Sequence, residues 1–241
     1  MDATQIYEAL IAPNASPRWP GTEVQRHYTG AFGPQIVRSA LSFIDMLDRD
    51  GAFAPDWRGL DYGAGFGRIA SLLLSKGNAD QLDLADAWDV SIQRLREGKF
   101  ANRIISIPEL LSPEDLPTEH YDFAYAFSVF THFAAEPFGR NLTALAASVK
   151  PGGKLYITVR QEDLLRRNYP DLAEEAAMHI AEHGWWFKPT RGDLGTAAIF
   201  GEMVVSESFL FQQARAIGAI TYLGQIQLQH VYRIAKAPEA A

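Results

Sequence analysis

The stretch that decides the fold reads D-Y-G-A-G-F-G-R and occupies residues 61–68. A short strand predicted over residues 59–62 leads into it, and an apolar helical pattern over residues 69–74 follows it. Glycine lets the backbone turn tightly and come close to a ligand, while a helix N-terminus offers free N–H groups to electron-rich atoms. The sequence therefore predicts a strand, a ligand-binding loop and a helix.

The spacing of the glycines distinguishes this loop from a dinucleotide-binding loop. It reads G-x-G-x-G, and Arg68 stands where G-x-G-x-x-G would have its last glycine. A nicotinamide-dependent oxidoreductase is the alternative enzyme with a related fold. A glycine-rich turn in a non-catalytic binding member is the alternative without chemistry.

Short apolar runs alternate with helical patterns along the chain. Further strands are predicted over residues 82–88, 104–107, 121–127 and 154–159, with helices between them. This alternation is typical of an α/β fold with a doubly wound, mostly parallel sheet. Two last strands, over residues 217–223 and 226–235 and turning at Gly224, predict a terminal antiparallel hairpin.

The organisation predicted from these patterns is a single domain over residues 1–241. It has a helical N-terminal cap (1–50), a cofactor-binding core (51–160), a helical insert or lid (161–201) and a closing helix and strands (202–236). We expect a short helix over residues 6–11, irregular chain after it, and a helix from Gln35 to Gly51. The insert reads as one long helix over residues 162–183, kinked at Pro170.

Composition narrows the classes of function. The 241 residues include no cysteine, which excludes a thiolate nucleophile and cysteine-bound zinc. The formal net charge is −7 without a basic stripe, so a nucleic-acid substrate is disfavoured. No apolar run reaches the roughly 20 residues that span a membrane, and the N-terminus lacks a secretory pattern. We expect a cytoplasmic protein that acts on a small molecule, with no membrane partner, and a homodimer is compatible with the sequence.

An acidic residue near the end of the second predicted strand is the second signal. We expect Asp89 to accept hydrogen bonds from the ribose hydroxyls of a nucleoside, since it follows Gly67 by 22 residues. Asp83 and Asp86 compete for this role. A lone acid in this position also serves as a helix N-cap.

The third signal is the run F-S-V-F-T-H-F at residues 127–133, where the fourth strand ends. Ligands of open α/β sheets bind at the carboxyl ends of the strands. His132 is therefore a candidate general base for a hydroxyl or amine acceptor. Alternatively, it caps the next helix or bonds to a backbone group.

These motifs, with K-P-G-G at residues 150–153, resemble the class I S-adenosylmethionine-dependent methyltransferases, in particular small bacterial-type enzymes that act on small molecules. The resemblance extends from Leu47 to Lys236 in the order of elements. It implies a Rossmann-like fold, S-adenosylmethionine as cofactor and S-adenosylhomocysteine as product. Gly59 departs from the family, which has a bulkier residue there, and the adenine-side loop lacks the usual aspartate.

The resemblance also implies site residues, and it assigns them by cofactor part. By this resemblance, the methionine part is surrounded by Asp61, Gly63, Ala64, Gly65 and Gly67. The ribose is held by Asp89, and the adenine is flanked by Val90, Ser91, Pro108 and Glu109. The sulfonium is lined by Phe127 and Ser128.

Two segments outside the alternating core are long enough to cover the site. We expect Tyr28 to form a cofactor lid, and the insert to form an acceptor pocket with Phe130, Trp185 and Trp186. Hydrophobic packing or a dimer contact is an equal alternative for the tryptophans. His179 and His183 have helical metal-binding spacing, but a solvated helix face is favoured and no metal is expected.

Overall fold

The structure, a computed structural model, describes residues 1–189, 196 and 198–238. The chain divides into two units, Met1–Ile107 and Pro108–Ala241. The boundary falls inside the predicted core of residues 51–160, and the division of a single domain into four parts stays a prediction.

Three helices open the first unit: α1 (Ala3–Ile11), α2 (Thr22–Thr29) and α3 (Pro34–Arg49). The predicted apolar face of α3 is buried, and it consists of Ile36, Val37, Ala40, Phe43, Ile44 and Leu47. Helix α2 lies where irregular chain was predicted. Its sequence is mostly polar and buries only Gln25, so it carries no apolar periodicity that could reveal a helix.

The strands of the first unit are β1 (Gly59–Tyr62), β2 (Leu82–Asp86) and β3 (Ile104–Ser106), with α4 (Arg68–Leu73) and α5 (Asp89–Glu97) between them. β2 pairs in parallel with both β1 and β3. β1 and β2 are buried along their whole length, as parallel strands usually are. The predicted end of the second strand is wrong, because β2 stops at Asp86 and α5 begins three residues later.

The second unit contains β4 (Tyr121–Ala126), α6 (Ala135–Ser148) and β5 (Val149–Val159). β4 and β5 are parallel, with an irregular register near Tyr121. The P-G-G sequence at residues 151–153, which is typical of a tight turn before a strand, lies inside β5, which begins at Val149.

An insert follows β5. It consists of α7 (Glu162–Asn168), a 3-10 turn (Pro170–Leu172), α8 (Ala173–His183) and β6 (Trp185–Pro189), which pairs antiparallel with β7 (Gly201–Val205). The prediction of a single long helix is wrong, because α7 ends before Tyr169. The proline that follows Tyr169 lacks an N–H and its ring clashes with the preceding turn, so the helix cannot continue through it. Residues 190–195 and 197 of the predicted insert lie outside the described part of the chain.

The chain ends with α9 (Glu207–Ala214), β8 (Gly218–Ile226) and β9 (Gln229–Lys236). β9 pairs antiparallel with both β5 and β8. The hairpin is as predicted, but its turn lies at residues 227–228, where Gln227 has a φ of 56°. Gly224 instead marks a shift of register within the β8–β9 pair.

The pairings within the two units confirm the predicted fold class. The β1–β2, β2–β3 and β4–β5 pairs are parallel, helices alternate with these strands, and β8 and β9 close the fold as an antiparallel hairpin. Within the described residues, every helix is too short or too polar to cross a membrane.

We expect Gly67→Ala to destabilise the protein more than Gly30→Ala. Both glycines have a positive φ, 80° and 69°, so alanine costs about 1–2 kcal/mol at either position. A Cβ at Gly67 would also lie 2.2 Å from Cζ of the buried Phe100 ring, whereas nothing lies within 4 Å of one at Gly30. The clash should add about 1–3 kcal/mol. Urea denaturation of both variants measures the difference, and equal losses would contradict it.

Candidate active site

The glycine loop after β1 is held by its backbone. Gly63, Gly65 and Gly67 have φ values of 78°, 58° and 80°, which residues with a side chain rarely adopt. The N–H groups of Gly63 and Ala64 both donate to the carbonyl of Ala85, at 2.8 and 3.1 Å. The loop is therefore fixed to the end of β2.

Asp86, the last residue of β2, joins that strand to the loop. Its Oδ2 accepts from the N–H of Gly65 at 2.8 Å, and its Oδ1 accepts from the N–H of Trp88 at 2.9 Å. The side chain is only 6% exposed. Burial raises the pKa of Asp86 above its ordinary value, and the hydrogen bonds from Trp88, Gly65 and Ser91 oppose that rise. A buried acid with several donors is thus in direct contact with the glycine loop.

The predicted acid Asp89 has a different setting. It lies in the first turn of α5 and is exposed, as is Val90 beside it. The acid that ends the strand is Asp86, which the sequence offered as a competitor. The strand position that favoured Asp89 is therefore occupied by Asp86.

Tyr28 contacts the loop from α2. A Cβ at Gly65 would lie 3.1 Å from Cδ1 of Tyr28, and the Tyr28 ring meets the Phe66 ring edge-on at 5.8 Å. The Tyr28 hydroxyl is 3.0 Å from the hydroxyl of the buried Ser91. Burial raises the pKa of Tyr28. The structure therefore brings Tyr28, Gly65 and Ser91 together.

The position of α2 is set by the buried side chain of Gln25. Its amide nitrogen donates to the carbonyl of Pro20 at 2.7 Å, and its amide oxygen accepts from the N–H of Gly33 at 3.1 Å. Just before α2, Trp19 donates to the hydroxyl of Ser71 on α4 at 2.8 Å. Sequence reasoning missed both anchors; the partner of Trp19 is 52 residues away in sequence, whereas these two partners of Gln25 lie within 8 residues of it.

Several other predicted cofactor residues have a clear setting. Asp61 is buried on β1. In the second unit Pro108 is exposed, and the carboxylate of Glu109 accepts from the hydroxyl of Thr196 at 2.9 Å. Phe127 and Ser128 follow the end of β4 and are half-buried. The amide of Asn141 on α6 donates to the carbonyl of Glu109 at 3.1 Å, which ties this loop to a helix.

His132 is held by the end of the insert. Its Nδ1 lies 2.8 Å from the carbonyl oxygen of Gly201, which can only accept, so Nδ1 carries the hydrogen and Nε2 is left as an acceptor. Burial, and then the positive charge of Arg160, lower the pKa of His132 to about 4. The ring is therefore neutral at pH 7.

Sequence reasoning missed a partly buried ion pair beside His132. Arg160 directly follows β5 and pairs with Glu202 on β7, whose carboxylate also accepts from the Tyr169 hydroxyl at 3.3 Å. Burial lowers the pKa of Arg160. The sequence feature that could have indicated Arg160 is its position immediately after a predicted strand.

The aromatic residues predicted to line a pocket differ in exposure. Phe130 is fully buried, with ring contacts to Phe133 at 5.6 Å and Phe138 at 4.9 Å. Trp186 packs in the core of the insert, and its cluster contains Leu164, Leu165, Ala176, Ile180 and Val204. Both rings lie in hydrophobic cores, as the packing alternative describes for Trp186, and their role in an acceptor pocket stays a prediction. Trp185 is half-buried against the ring of His179.

The two histidines with metal-binding spacing make their contacts within the insert. Nδ1 of His179 donates to the carbonyl of Trp185, and the His179 and His183 rings lie 4.4 Å apart. Across the residues that the structure describes, no group of three or more histidine, aspartate or glutamate side chains is arranged to hold a metal ion.

Solved structures similar to this chain include methyltransferases. One is an S-adenosylmethionine-dependent methyltransferase from Methanosarcina mazei, with a TM-score of 0.59 and 17% identity over 80% of this chain and 98% of that one. Another is the magnesium protoporphyrin IX methyltransferase from Synechocystis PCC 6803 with bound S-adenosylmethionine, with a TM-score of 0.56 and 12% identity over 98% of both chains.

A third is an O-methyltransferase family protein from Burkholderia thailandensis, with a TM-score of 0.56 and 18% identity over 85% of this chain. This chain spans 58% of the length of that protein. Comparison with curated protein sequences gave no match.

The family comparison agrees with the fold. The model of a family described as a methyltransferase domain matches residues 27–195, which is more than half of the chain and includes the glycine loop, Asp86 and His132. The chain therefore belongs to the methyltransferase domain family, and it is a class I methyltransferase with S-adenosylmethionine as its cofactor.

Proposed function

We propose that this methyltransferase acts on a small molecule, with a hydroxyl of a sugar or a secondary metabolite as the preferred acceptor. One observation carries this proposal: β7 is bonded to the segment that follows β4. Met203 donates to the carbonyl of Thr131 at 2.9 Å, and Gly201 to that of His132 at 2.8 Å. An insert bonded at the carboxyl end of a strand restricts access there, which favours an acceptor small enough to be enclosed.

The charge of the chain supports the same choice. A protein that binds RNA or DNA gains most of its affinity from lysine and arginine contacts with phosphates. This chain has 22 basic and 29 acidic residues, for a net charge of −7. A polyanionic acceptor would be repelled by this excess of negative charge.

The residues of the first unit fit a nucleoside cofactor with an amino-acid tail. A Cβ at Gly65 would lie 3.1 Å from the Tyr28 ring, so a larger side chain there would press on that ring, and glycine keeps the backbone open to a ligand. We infer that Asp61, Gly63, Ala64, Gly65 and Gly67 hold the methionine part, with Tyr28 as its cover. Val90 and Ser91 keep the adenine role that the family implies, and the roles of Pro108, Glu109, Phe127 and Ser128 also stay predictions.

For the ribose we now propose Asp86 instead of Asp89. Asp86 ends β2, where ligands of such sheets bind, and its carboxylate is bonded directly to the glycine loop through the N–H of Gly65. Asp89 is exposed one turn further on. The reason for choosing an acid at the end of the second strand is unchanged, and only the residue differs.

Methyl transfer requires that the protein orient the acceptor and exclude water. S-adenosylmethionine supplies a methyl group that its sulfonium has already made electrophilic. Neutral His132 can accept a hydrogen bond from an acceptor hydroxyl at Nε2 and so direct an oxygen lone pair. With a pKa of about 4 it is a weak base, so we infer that His132 first orients the hydroxyl and takes up its proton only as the oxygen–methyl bond forms and the sulfur–methyl bond breaks, which makes that proton acidic.

Paired substitutions decide between the two acids. Asp86→Asn keeps the shape of the side chain but removes the negative charge that ribose hydroxyls bind, at about 1.5–3 kcal/mol for a charged hydrogen bond. We expect it to weaken S-adenosylhomocysteine binding tenfold or more in titration calorimetry. Asp89→Asn is the matched control and should bind nearly as wild type. A loss confined to Asp89→Asn would restore the original assignment.

The low pKa of His132 predicts a pH dependence of stability. An unfolded histidine titrates near 6.5 and His132 near 4, so between these values only the unfolded chain binds the proton. The contribution of His132 therefore falls as the pH drops from 6.5 to about 4, by about 1.4 kcal/mol per pH unit. His132→Gln does not titrate and should lose less stability between pH 7 and pH 5 in urea denaturation. The same slope as wild type would contradict the buried neutral histidine.

The acceptor class is tested with methyl-labelled cofactor and a cell extract. We expect label in the small-molecule fraction, in a product heavier than its precursor by one methylene unit. Gly65→Val is the control, because a branched side chain at a φ of 58° beside Tyr28 should prevent cofactor binding. Label only in RNA or protein would refute the small-molecule proposal, and binding of a nicotinamide cofactor in place of S-adenosylmethionine would support the oxidoreductase alternative.

A further inference from the structure

Ser128 has an unusual backbone for a residue with a side chain. It lies two residues after the end of β4 and has a φ of 64°. The left-handed region costs such a residue about 1–2 kcal/mol. A strained conformation of this kind persists only where the surrounding structure enforces it.

Three hydrogen bonds around Ser128 form a closed ring. The N–H of Ser128 donates to Oγ1 of Thr158 at 2.7 Å, and the Thr158 hydroxyl donates to Oε1 of Gln229. Nε2 of Gln229 then donates to Oγ of Ser128 at 2.8 Å. Thr158 is fully buried on β5, and Gln229 is the first residue of β9. Two strands therefore hold one residue of the segment after β4.

The direction of these bonds follows from their chemistry. A backbone N–H can only donate, so Thr158 accepts from it and gives its own hydrogen to the amide oxygen of Gln229. Because the amide oxygen of Gln229 faces Thr158, its amide nitrogen faces Ser128 and donates a hydrogen bond to the Ser128 hydroxyl oxygen. The hydroxyl hydrogen of Ser128 is then free to be donated to another group.

We propose that Thr158 and Gln229 are positioning residues for the cofactor. They hold Ser128 in the left-handed conformation and direct its hydroxyl hydrogen to an oxygen or nitrogen acceptor of bound S-adenosylmethionine. This inference rests on the proposed placement of Ser128 in the cofactor site. Neither Thr158 nor Gln229 belongs to the sequence motifs that indicate this site.

The test uses S-adenosylhomocysteine as the probe and titration calorimetry as the readout. Thr158→Val and Gln229→Leu each remove two bonds of the ring at similar volume, and we expect each to weaken binding about tenfold. Gln225→Leu is the matched control, since this hairpin glutamine donates to Asp163 and not to Ser128. It should bind as wild type. Thermal denaturation verifies that every variant is folded.

Ser128→Gly separates positioning from general support of the hairpin. Glycine adopts a φ of 64° without strain and has no hydroxyl to direct, so Gln229 has no side chain left to hold at residue 128 and only the bond from the backbone N–H to Thr158 remains. In the Ser128→Gly background, Gln229→Leu should cause little further loss of affinity. The same tenfold loss in both backgrounds would show that Gln229 acts independently of Ser128 and would overturn the proposal.

The remaining outcomes are also decisive. Wild-type affinity in folded Gln229→Leu and Thr158→Val would overturn the positioning role while leaving the methyltransferase assignment intact. If Ser128→Gly and Ser128→Ala also bind as wild type, the proposed placement of Ser128 in the cofactor site fails as well. The acceptor proposal is independent, because it is tested by the labelled product.

Discussion

The hydrogen bond from Gly65 to the buried carboxylate of Asp86 is the constraint on which the first unit depends. Burial alone would favour the neutral acid, and the N–H groups of Gly65 and Trp88 offset that cost. The same bonds fix where the glycine loop ends and where α5 begins. The loop fixed in this way carries Phe66, whose ring contacts the Tyr28 ring, and this contact acts together with Gln25 and Trp19 in holding the N-terminal cap.

A corresponding constraint in the second unit lies between β7 and the segment after β4. Backbone hydrogen bonds join residues 131–134 to residues 199–203, and the carbonyl of Gly201 also fixes the tautomer of His132. The neighbouring Arg160 is buried but paired with Glu202, which limits the cost of taking both charges out of water. A neutral histidine beside a paired cation is suited to orient an acceptor hydroxyl.

Local patterns predicted most of the fold. The apolar periodicity of α3 and the glycine loop after β1 depend on adjacent residues, and both were predicted from sequence. Helix α2 was missed because its residues are polar, and the break at Tyr169 was read as a kink. Such local patterns could not predict the side-chain contacts of the site, because these contacts join residues that are distant in sequence. Tyr28 and Ser91 are 63 residues apart, and Thr158 and Gln229 are 71 residues apart.

Some of the residues that orient the side chains of the site lie outside the region that matches the family model. The family model matches residues 27–195, whereas Gly201 and Gln229, which hold His132 and Ser128, come after it. Both partners reach the site by tertiary pairing, Gly201 as the first residue of β7 and Gln229 as the first residue of β9. Two enzymes with identical motifs can therefore differ in the tautomer of the histidine and in the direction of the serine hydroxyl. We therefore infer that the C-terminal part of the chain contributes to both functions, to acceptor orientation through Gly201 and His132 and to cofactor binding through Gln229 and Ser128.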